Sequence, residues 1–272
     1  MLARPSFNRA TGLWDGFDLV SFGAMRTLKI SLQYDGTNYV GWQRQAAGVS
    51  IQSLLEDALA PIEGRTVVVH GAGRTDAGVH ALAQVATVGL HASIPPETLT
   101  RALNAVLPAD VRVLSVEETD PAFHARFSAV GKAYEYRIVN APMVSAFLFR
   151  YAWHIAAPLD IEAMRRAAEP LIGAHDFAAF AAAGSAVAST ERVVRAIEWE
   201  DGAGYDRPLV MRIRGDGFLR HMVRTIVGTL VEVGQGRWPP AQVAAILASR
   251  DRAQAGRTAP PQGLFLVRVE YE

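Results

Sequence analysis

The clearest hydrophobic alternation in the chain covers residues 26–34, with Leu28, Ile30, Leu32 and Tyr34 on one side and Thr27, Lys29, Ser31 and Gln33 on the other. A period of two predicts a half-buried β-strand. The period then lengthens. Ile51, Leu54, Leu55, Ala58 and Leu59 share one face of a helix that Ser50 can cap, and Pro61 and Gly64 fall where that helix should end. Residues 66–70 and 79–90 read as strands, 96–106 as a helix and 111–118 as a strand. Strand, helix, strand, strand, helix, strand is the order of a ferredoxin-like unit. The second half repeats it loosely. Residues 132–140 read as a strand, and 160–171 as a helix with Ile161, Met164, Ala168 and Leu171 inward. Strands follow at 193–199 and 209–214, a buried helix at 218–234, a short helix at 241–248 and a closing strand at 264–271. The expected class is α+β in two related halves, 25–128 and 129–272, with loops at 141–158 and 178–189.

Residues 1–24 show neither period. Aromatics are scattered there among Gly, Asn and Asp, and no basic segment precedes an apolar one, so the stretch is not read as a signal peptide. It is expected to be poorly ordered and to contribute little to function.

Composition narrows the class. A chain of 272 residues, half of them hydrophobic, can bury a substantial core. No apolar run reaches the length needed to span a bilayer. The absence of cysteine excludes disulfides, thiolate catalysis and cysteine-ligated metal, and fits a reducing cytoplasm. The formal net charge is zero, but residues 207–224 hold five arginines against one acid, Asp216. Arginine presents a planar fork to phosphates and stacks on bases, so such a patch suits RNA; codon bias in a GC-rich genome explains it equally well.

The candidate chemistry sits in Gly71-Ala72-Gly73-Arg74-Thr75-Asp76-Ala77-Gly78-Val79-His80-Ala81, a glycine-rich loop between two expected strands that carries one arginine and one carboxylate. The dinucleotide fingerprint would need a glycine where Asp76 stands, and a phosphate-binding P-loop would need a Gly-Lys-Ser/Thr sequence. Loop chemistry alone favours a plain turn in which Asp76 bonds its own backbone. The seven histidines show no metal-ligand spacing; His80 fits a structural hydrogen-bonding role and Trp42 a place in the core.

The segment from Arg74 to Ala81 resembles the catalytic loop of the tRNA pseudouridine synthase A family. Further blocks match in the same order. They are Tyr34-Asp35-Gly36-Thr37-Asn38-Tyr39-Val40-Gly41-Trp42-Gln43, then Phe123-His124-Ala125-Arg126-Phe127 with Lys132-Ala133-Tyr134-Glu135-Tyr136, then Gly217-Phe218-Leu219-Arg220-His221-Met222-Val223-Arg224, and Ala259-Pro260-Pro261-Gln262-Gly263-Leu264-Phe265-Leu266. Together they reach from Met25 to the C-terminus. The resemblance implies two ferredoxin-like subdomains whose antiparallel sheets join into one, with the active-site cleft between them. It also implies conversion of uridine to pseudouridine at positions 38, 39 and 40 of the tRNA anticodon stem-loop, by a cytoplasmic homodimer that needs no cofactor and no metal.

By the same resemblance, Asp76 is the catalytic carboxylate, acting as a nucleophile on the anomeric carbon or as a base that generates a glycal. Arg224 is its expected counter-ion, because an opposite charge within a few ångströms favours the charged form of a carboxylate; a phosphate contact or a solvated helix surface is the alternative. Tyr134 matches the family's active-site tyrosine, able to stack on an extruded uracil and assist proton removal from C5. Tyr136, two residues along the same strand face, is its rival. Leu264 is expected to pack beneath the base, and Arg74 to help extrude the nucleotide. Arg126, Lys132, Arg137, Arg212, Arg214 and Arg220 are further candidates for phosphate contacts. Two competing functions are a non-catalytic RNA-binding module of the same fold and a sugar hydrolase, the latter disfavoured because this loop carries no second acid.

Overall fold

The computed structural model describes residues 6–8, 13–15, 22–182 and 188–272. In chain order the elements are β1 (Ser6–Asn8), β2 (Leu13–Asp15), β3 (Phe22–Tyr34), α1 (Ile51–Glu63), β4 (His70–Gly71), β5 (His80–Ala92), α2 (Pro96–Val106), β6 (Val111–Thr119), β7 (Ala129–Asn140), β8 (Trp153–Ile155), α3 (Ile161–Ala168), β9 (Gly173–Asp176), β10 (Glu191–Glu200), β11 (Leu209–Gly215), α4 (Met222–Gly234), α5 (Gln242–Ser249) and β12 (Leu264–Tyr271). The expectation of poor order in the leader falls, for residues 1–5, 9–12 and 16–21, outside the described residues. Within them, β1 and β2 pair antiparallel, and β3 starts at Phe22.

Nearly all the strands belong to one sheet in the order β6-β3-β5-β12-β7-β11-β10-β9, with β4 on β5 and β8 on β7. The first half, β3-α1-β4-β5-α2-β6, lies in space as β6-β3-β5-β4. The second, β7-α3-β10-β11-α4-β12, lies as β12-β7-β11-β10. Both put the fourth strand beside the first and the third beside the second, so the chain is a pair of ferredoxin-like units. Their junction has a local cause. β4 is only two residues long and covers β5 at Thr87 and Ala86, which leaves the start of that edge open. β12 fills it in parallel, Phe265 opposite His80 and Leu266 opposite Ala81.

Residues 66–69 do not extend β4 as the β-branched run predicts. The Val69 N–H donates to Glu56 Oε1 and its carbonyl accepts from Gln52 Nε2, both at 3.1 Å. Side chains of α1 thus satisfy the backbone groups that a strand would have paired. Four other expectations shift. Helix α1 runs to Glu63 with Pro61 inside its last turn. The expected loop 141–158 contains β8, whose buried Trp153 and Ile155 sit on a strand parallel to β7. Helix α4 begins at Met222 instead of residue 218, because His221 takes a left-handed conformation with φ 63° and so breaks the helix before it. The expected loop 178–189 opens with a 3₁₀ turn at Ala178–Phe180, and its residues 183–187 lie outside the described residues.

One buried apolar cluster runs through both units. It joins Leu28, Ile30 and Leu32 of β3, Leu55 of α1, Leu99 of α2, Tyr134 and Tyr136 of β7, Met164 of α3, and Ile226 and Leu230 of α4. Continuous burial of this kind makes the β5–β12 junction a rigid platform for whatever the adjoining loops present.

Candidate active site

The loop that carries Asp76 leads directly into β5, at the junction of the two units. It rests on the segment after β3. The Trp42 N–H donates to the Thr75 carbonyl at 3.0 Å, and the Val79 N–H turns back to the Asp76 carbonyl at 3.1 Å. Two glycines permit this contact. A methyl group on Gly36 would lie 2.0 Å from the Val79 carbonyl oxygen, and one on Gly41, whose φ is +98°, would lie 2.5 Å from that of Thr75. Side chains complete the support. Buried Thr75 Oγ1 shares a 2.9 Å hydrogen bond with the Tyr34 hydroxyl, while Gln84 Nε2 donates to the Gly73 carbonyl at 3.0 Å. The backbone on both sides of Asp76 is therefore fixed, and its side chain remains 24% exposed.

Arg224 reaches this carboxylate from the first turn of α4. Its Nη1 donates to Asp76 Oδ2 at 2.8 Å and its Nε to the Ala259 carbonyl at 2.8 Å, while the Ala259 N–H returns to the Arg224 carbonyl at 3.0 Å. The guanidinium is thus oriented by backbone before it meets the acid. His221 Nε2 lies 3.6 Å from the same Oδ2. Burial pushes its pKa below the ordinary imidazole value against the opposing pull of Asp76, so it is a neutral neighbour at pH 7. Sequence alone assigns His221 no role; its place one residue before the helix that carries Arg224 is the signal that points to it.

Tyr134 and Tyr136 share a face of β7 but differ in what holds them. Tyr136 is fully buried, and its hydroxyl donates to the Pro260 carbonyl at 2.8 Å. Tyr134 is 7% exposed, packs edge-on against Phe218 with ring centroids 5.2 Å apart, and its hydroxyl has no hydrogen-bond partner among the described residues. Burial first, then Tyr34 and Asp76, push the Tyr134 hydroxyl well above the usual tyrosine range, so it is a phenol at neutral pH. The register sets Leu264 opposite Tyr136 and Leu266 opposite Tyr134, both buried.

The basic candidates separate into free and committed groups. Arg74, Arg126, Arg214 and Arg220 are exposed. Lys132 is half-buried, its stem against Gly73 and its pKa lowered by burial and then by Arg126. Arg137 and Arg212 are committed elsewhere. Arg137 stacks on Phe265 at 3.9 Å and pairs with Glu135, and Arg212 bridges Glu135 at 2.7 Å and Glu200 at 3.0 Å. These partners occupy part of each group's five N–H donors, so Arg137 and Arg212 are less available to a phosphate than the exposed arginines. His80 is buried, with Nδ1 accepting from the Gly36 N–H at 3.0 Å and its ring stacked on Phe265. Trp42 is buried against Gly71. Among the described residues, no three His, Asp or Glu side chains gather as a metal site, and no helix is long and apolar enough to cross a membrane.

The arrangement presents a single carboxylate with a fixed cationic partner, beside an aromatic ring and a free phenol. Such a set can attack or deprotonate a sugar ring while an aromatic base rests on the tyrosine. The sequence profile of a family described as tRNA pseudouridine synthase matches residues 30–128 and 167–272. A tRNA pseudouridine synthase A of Moorella thermoacetica is 48% identical over 249 residues, covering 91% of this chain and all of that protein. The corresponding protein of Thermoanaerobacter sp. (strain X514) is 46% identical over 247 residues, again 91% of this chain and all of its own. Among solved structures, a chain of a Cbf5-Nop10-Gar1 complex aligns with 88% of this chain and 48% of its own, at 15% identity and a TM-score of 0.37.

Proposed function

The chain belongs to the tRNA pseudouridine synthase family, and we propose that it isomerises uridines 38, 39 and 40 of the tRNA anticodon stem-loop, with Asp76 as the reacting carboxylate. The enzyme class, a pseudouridine synthase acting on tRNA, comes with membership. The reading of the site is supported above all by one observation: Asp76 and Arg224, 148 residues apart in sequence, meet at 2.8 Å, within electrostatic reach of Tyr134, whose hydroxyl has no hydrogen-bond partner among the described residues.

In this mechanism an extruded uridine enters with its base against Tyr134 and its ribose at Asp76. The carboxylate forms a bond to the anomeric carbon as the bond from that carbon to uracil N1 breaks, and N1 takes the electron pair. The uracil turns in place. C5 then attacks the anomeric carbon and displaces the carboxylate, and the proton on C5 is lost through the Tyr134 hydroxyl, which accepts it while passing its own proton on towards N1. Atoms and charge balance without a cofactor. Arg224 balances the negative charge of Asp76 before and after the covalent stage, and its anchor on Ala259 keeps it from following the substrate.

Flipping a nucleotide costs a few kcal/mol of lost stacking, which contacts to the displaced backbone must offset. Arg74, exposed and two residues before Asp76, takes that role in this reading, with Lys132, Arg126 and Arg220 as further phosphate contacts and Leu264 beneath the base. A homodimer would let a subunit with no net charge assemble a basic cleft from two such patches. A tRNA substrate fits a cytoplasmic enzyme. Mass-spectrometric mapping of tRNA incubated with the protein tests the assignment. Pseudouridine at positions 38–40 is the expected product, and modification elsewhere alone would refute it.

A further inference from the structure

Phe127 is among the most exposed apolar side chains of the described residues, at 77%. The turn that carries it is not loose. The Ser128 N–H donates to the His124 carbonyl at 2.9 Å, and the His124 N–H to Ser128 Oγ at 3.0 Å. His124 Nδ1 accepts the Arg126 N–H at 3.1 Å. Between them Ala125 is fully buried, its N–H donating to Thr87 Oγ1 at 2.7 Å and its carbonyl accepting from the Tyr271 hydroxyl at 2.8 Å. A network of this density fixes the backbone and thereby holds a phenyl ring out in water, which the hydrophobic effect opposes.

The ring also continues a line of aromatic groups from the catalytic loop. His70 of β4 immediately precedes Gly71, where the catalytic loop begins. Its ring centroid lies 5.0 Å from that of His124, and His124 lies 4.5 Å from Phe127. Burial, then His70 and Arg126, lower the pKa of His124 and favour its neutral ring, and the Arg126 N–H bond assigns the accepting nitrogen as Nδ1. Positive charge flanks this line. The Arg126 guanidinium sits 5.5 Å from the Phe127 ring, and Lys132, on the same face of β7 as Tyr134, has its stem against Gly73. A fixed, exposed aromatic ring beside cations on a nucleic-acid-binding face is the arrangement that stacks an unpaired base while the backbone is held electrostatically.

We infer that Phe127 is a stacking platform for an unpaired nucleobase of the bound RNA other than the reacting uridine, with Arg126 and Lys132 holding the adjoining phosphates. The inference rests on the assignment of tRNA as substrate. Its consequence is that part of the affinity for an open loop, as opposed to a paired stem, comes from a ring outside the reacting centre.

The test uses the full-length protein and an anticodon stem-loop RNA with 2-aminopurine in place of one unpaired loop base. Affinity is measured for the wild type and for Phe127→Ala, Phe127→Leu and Phe127→Trp, each also in an Asp76→Asn background. Stacking predicts that Phe127→Ala and Phe127→Leu weaken binding about tenfold, that Phe127→Trp restores it, and that 2-aminopurine at one loop position is quenched only by proteins with an aromatic ring at 127. The pattern should persist with Asn at 76, since it does not depend on turnover. Full binding by Phe127→Leu would show a merely apolar contact and overturn the inference. So would unchanged binding in all variants, or a change of oligomeric mass with Phe127→Ala, which would make the ring a subunit contact. If the wild type binds no stem-loop at all, the substrate assignment itself fails; if it binds with the ring-dependent quench yet makes no pseudouridine, only the catalytic reading fails.

Discussion

Arg224 holds Asp76 with one guanidinium nitrogen while a second nitrogen of the same group is bound to the protein's own backbone. The two distances are equal: 2.8 Å from Nη1 to Asp76 Oδ2 and 2.8 Å from Nε to the Ala259 carbonyl. A lysine at this position has one compact ammonium and cannot span both acceptors in the same geometry. Arg224→Lys is therefore expected to fold but to turn over about 10- to 100-fold more slowly, the scale of one lost charge-assisted hydrogen bond. Steady-state kinetics on tRNA provide the check, and unchanged kcat would show that the pair is not needed for the chemistry.

The two tyrosines of β7 make opposite predictions. Tyr136→Phe removes the hydrogen bond of a buried hydroxyl to the half-buried Pro260 carbonyl, so stability should fall by about 1 kcal/mol with turnover retained. Tyr134→Phe removes a hydroxyl with no partner among the described residues, so the melting temperature should stay while turnover falls. Parallel thermal melts and rate measurements on the two variants separate these outcomes; if Tyr136→Phe is the variant that stops turnover, the roles are reversed.

Gly36 and Gly41 are as much a part of the site as the groups above them. A methyl group at Gly36 would sit 2.0 Å from the Val79 carbonyl and must push the Asp76 loop away. Gly36→Ala is expected to cost about 1–3 kcal/mol in stability, in the range of overpacking, and to lower turnover by more than it lowers tRNA affinity. Calorimetry and filter binding read the two effects; a fully active Gly36→Ala protein would show that the loop need not rest on this segment.

Acid should destabilise the fold before the carboxylates titrate. Burial lowers the pKa of His80, His124 and His221 below the ordinary 6.5. Below pH 6.5 the unfolded chain takes up protons that the folded chain refuses, so stability falls as pH drops from 6.5 towards the folded-state values and is insensitive to these groups above 6.5. The melting temperature at pH 5.5 should lie below that at pH 7.5. An equal or higher value would mean that these imidazoles are charged in the native protein.

Much of the fold was written in the hydrophobic periods. The alternation of Leu28, Ile30, Leu32 and Tyr34 located β3, and the spacing of 96–106 located α2. The misses have physical causes. Val69 looked like a strand residue because its side chain suits one, but Gln52 and Glu56 claimed its backbone. A three-residue strand such as β8 is too short to show any period. The start of α4 depended on the left-handed His221, which no pattern announces. At the site, the approach of Asp76 and Arg224 is a property of the β5–β12 junction and was reachable only through the family resemblance. Tyr134 and Tyr136 were indistinguishable by position, and it took the hydroxyl's partner, Pro260 or none, to tell them apart.

The role of Asp76 is tested most directly by releasing tritium from tRNA labelled at uridine C5, with the wild type and with Asp76→Asn. Asparagine keeps the size of the side chain and an acceptor for Arg224 but removes the charge. The wild type should release tritium from its target uridines, while Asp76→Asn should release none above the protein-free blank and still bind tRNA within about tenfold, since phosphate contacts dominate affinity. Release by the Asn variant at even about a hundredth of the wild-type rate would place the chemistry on another group.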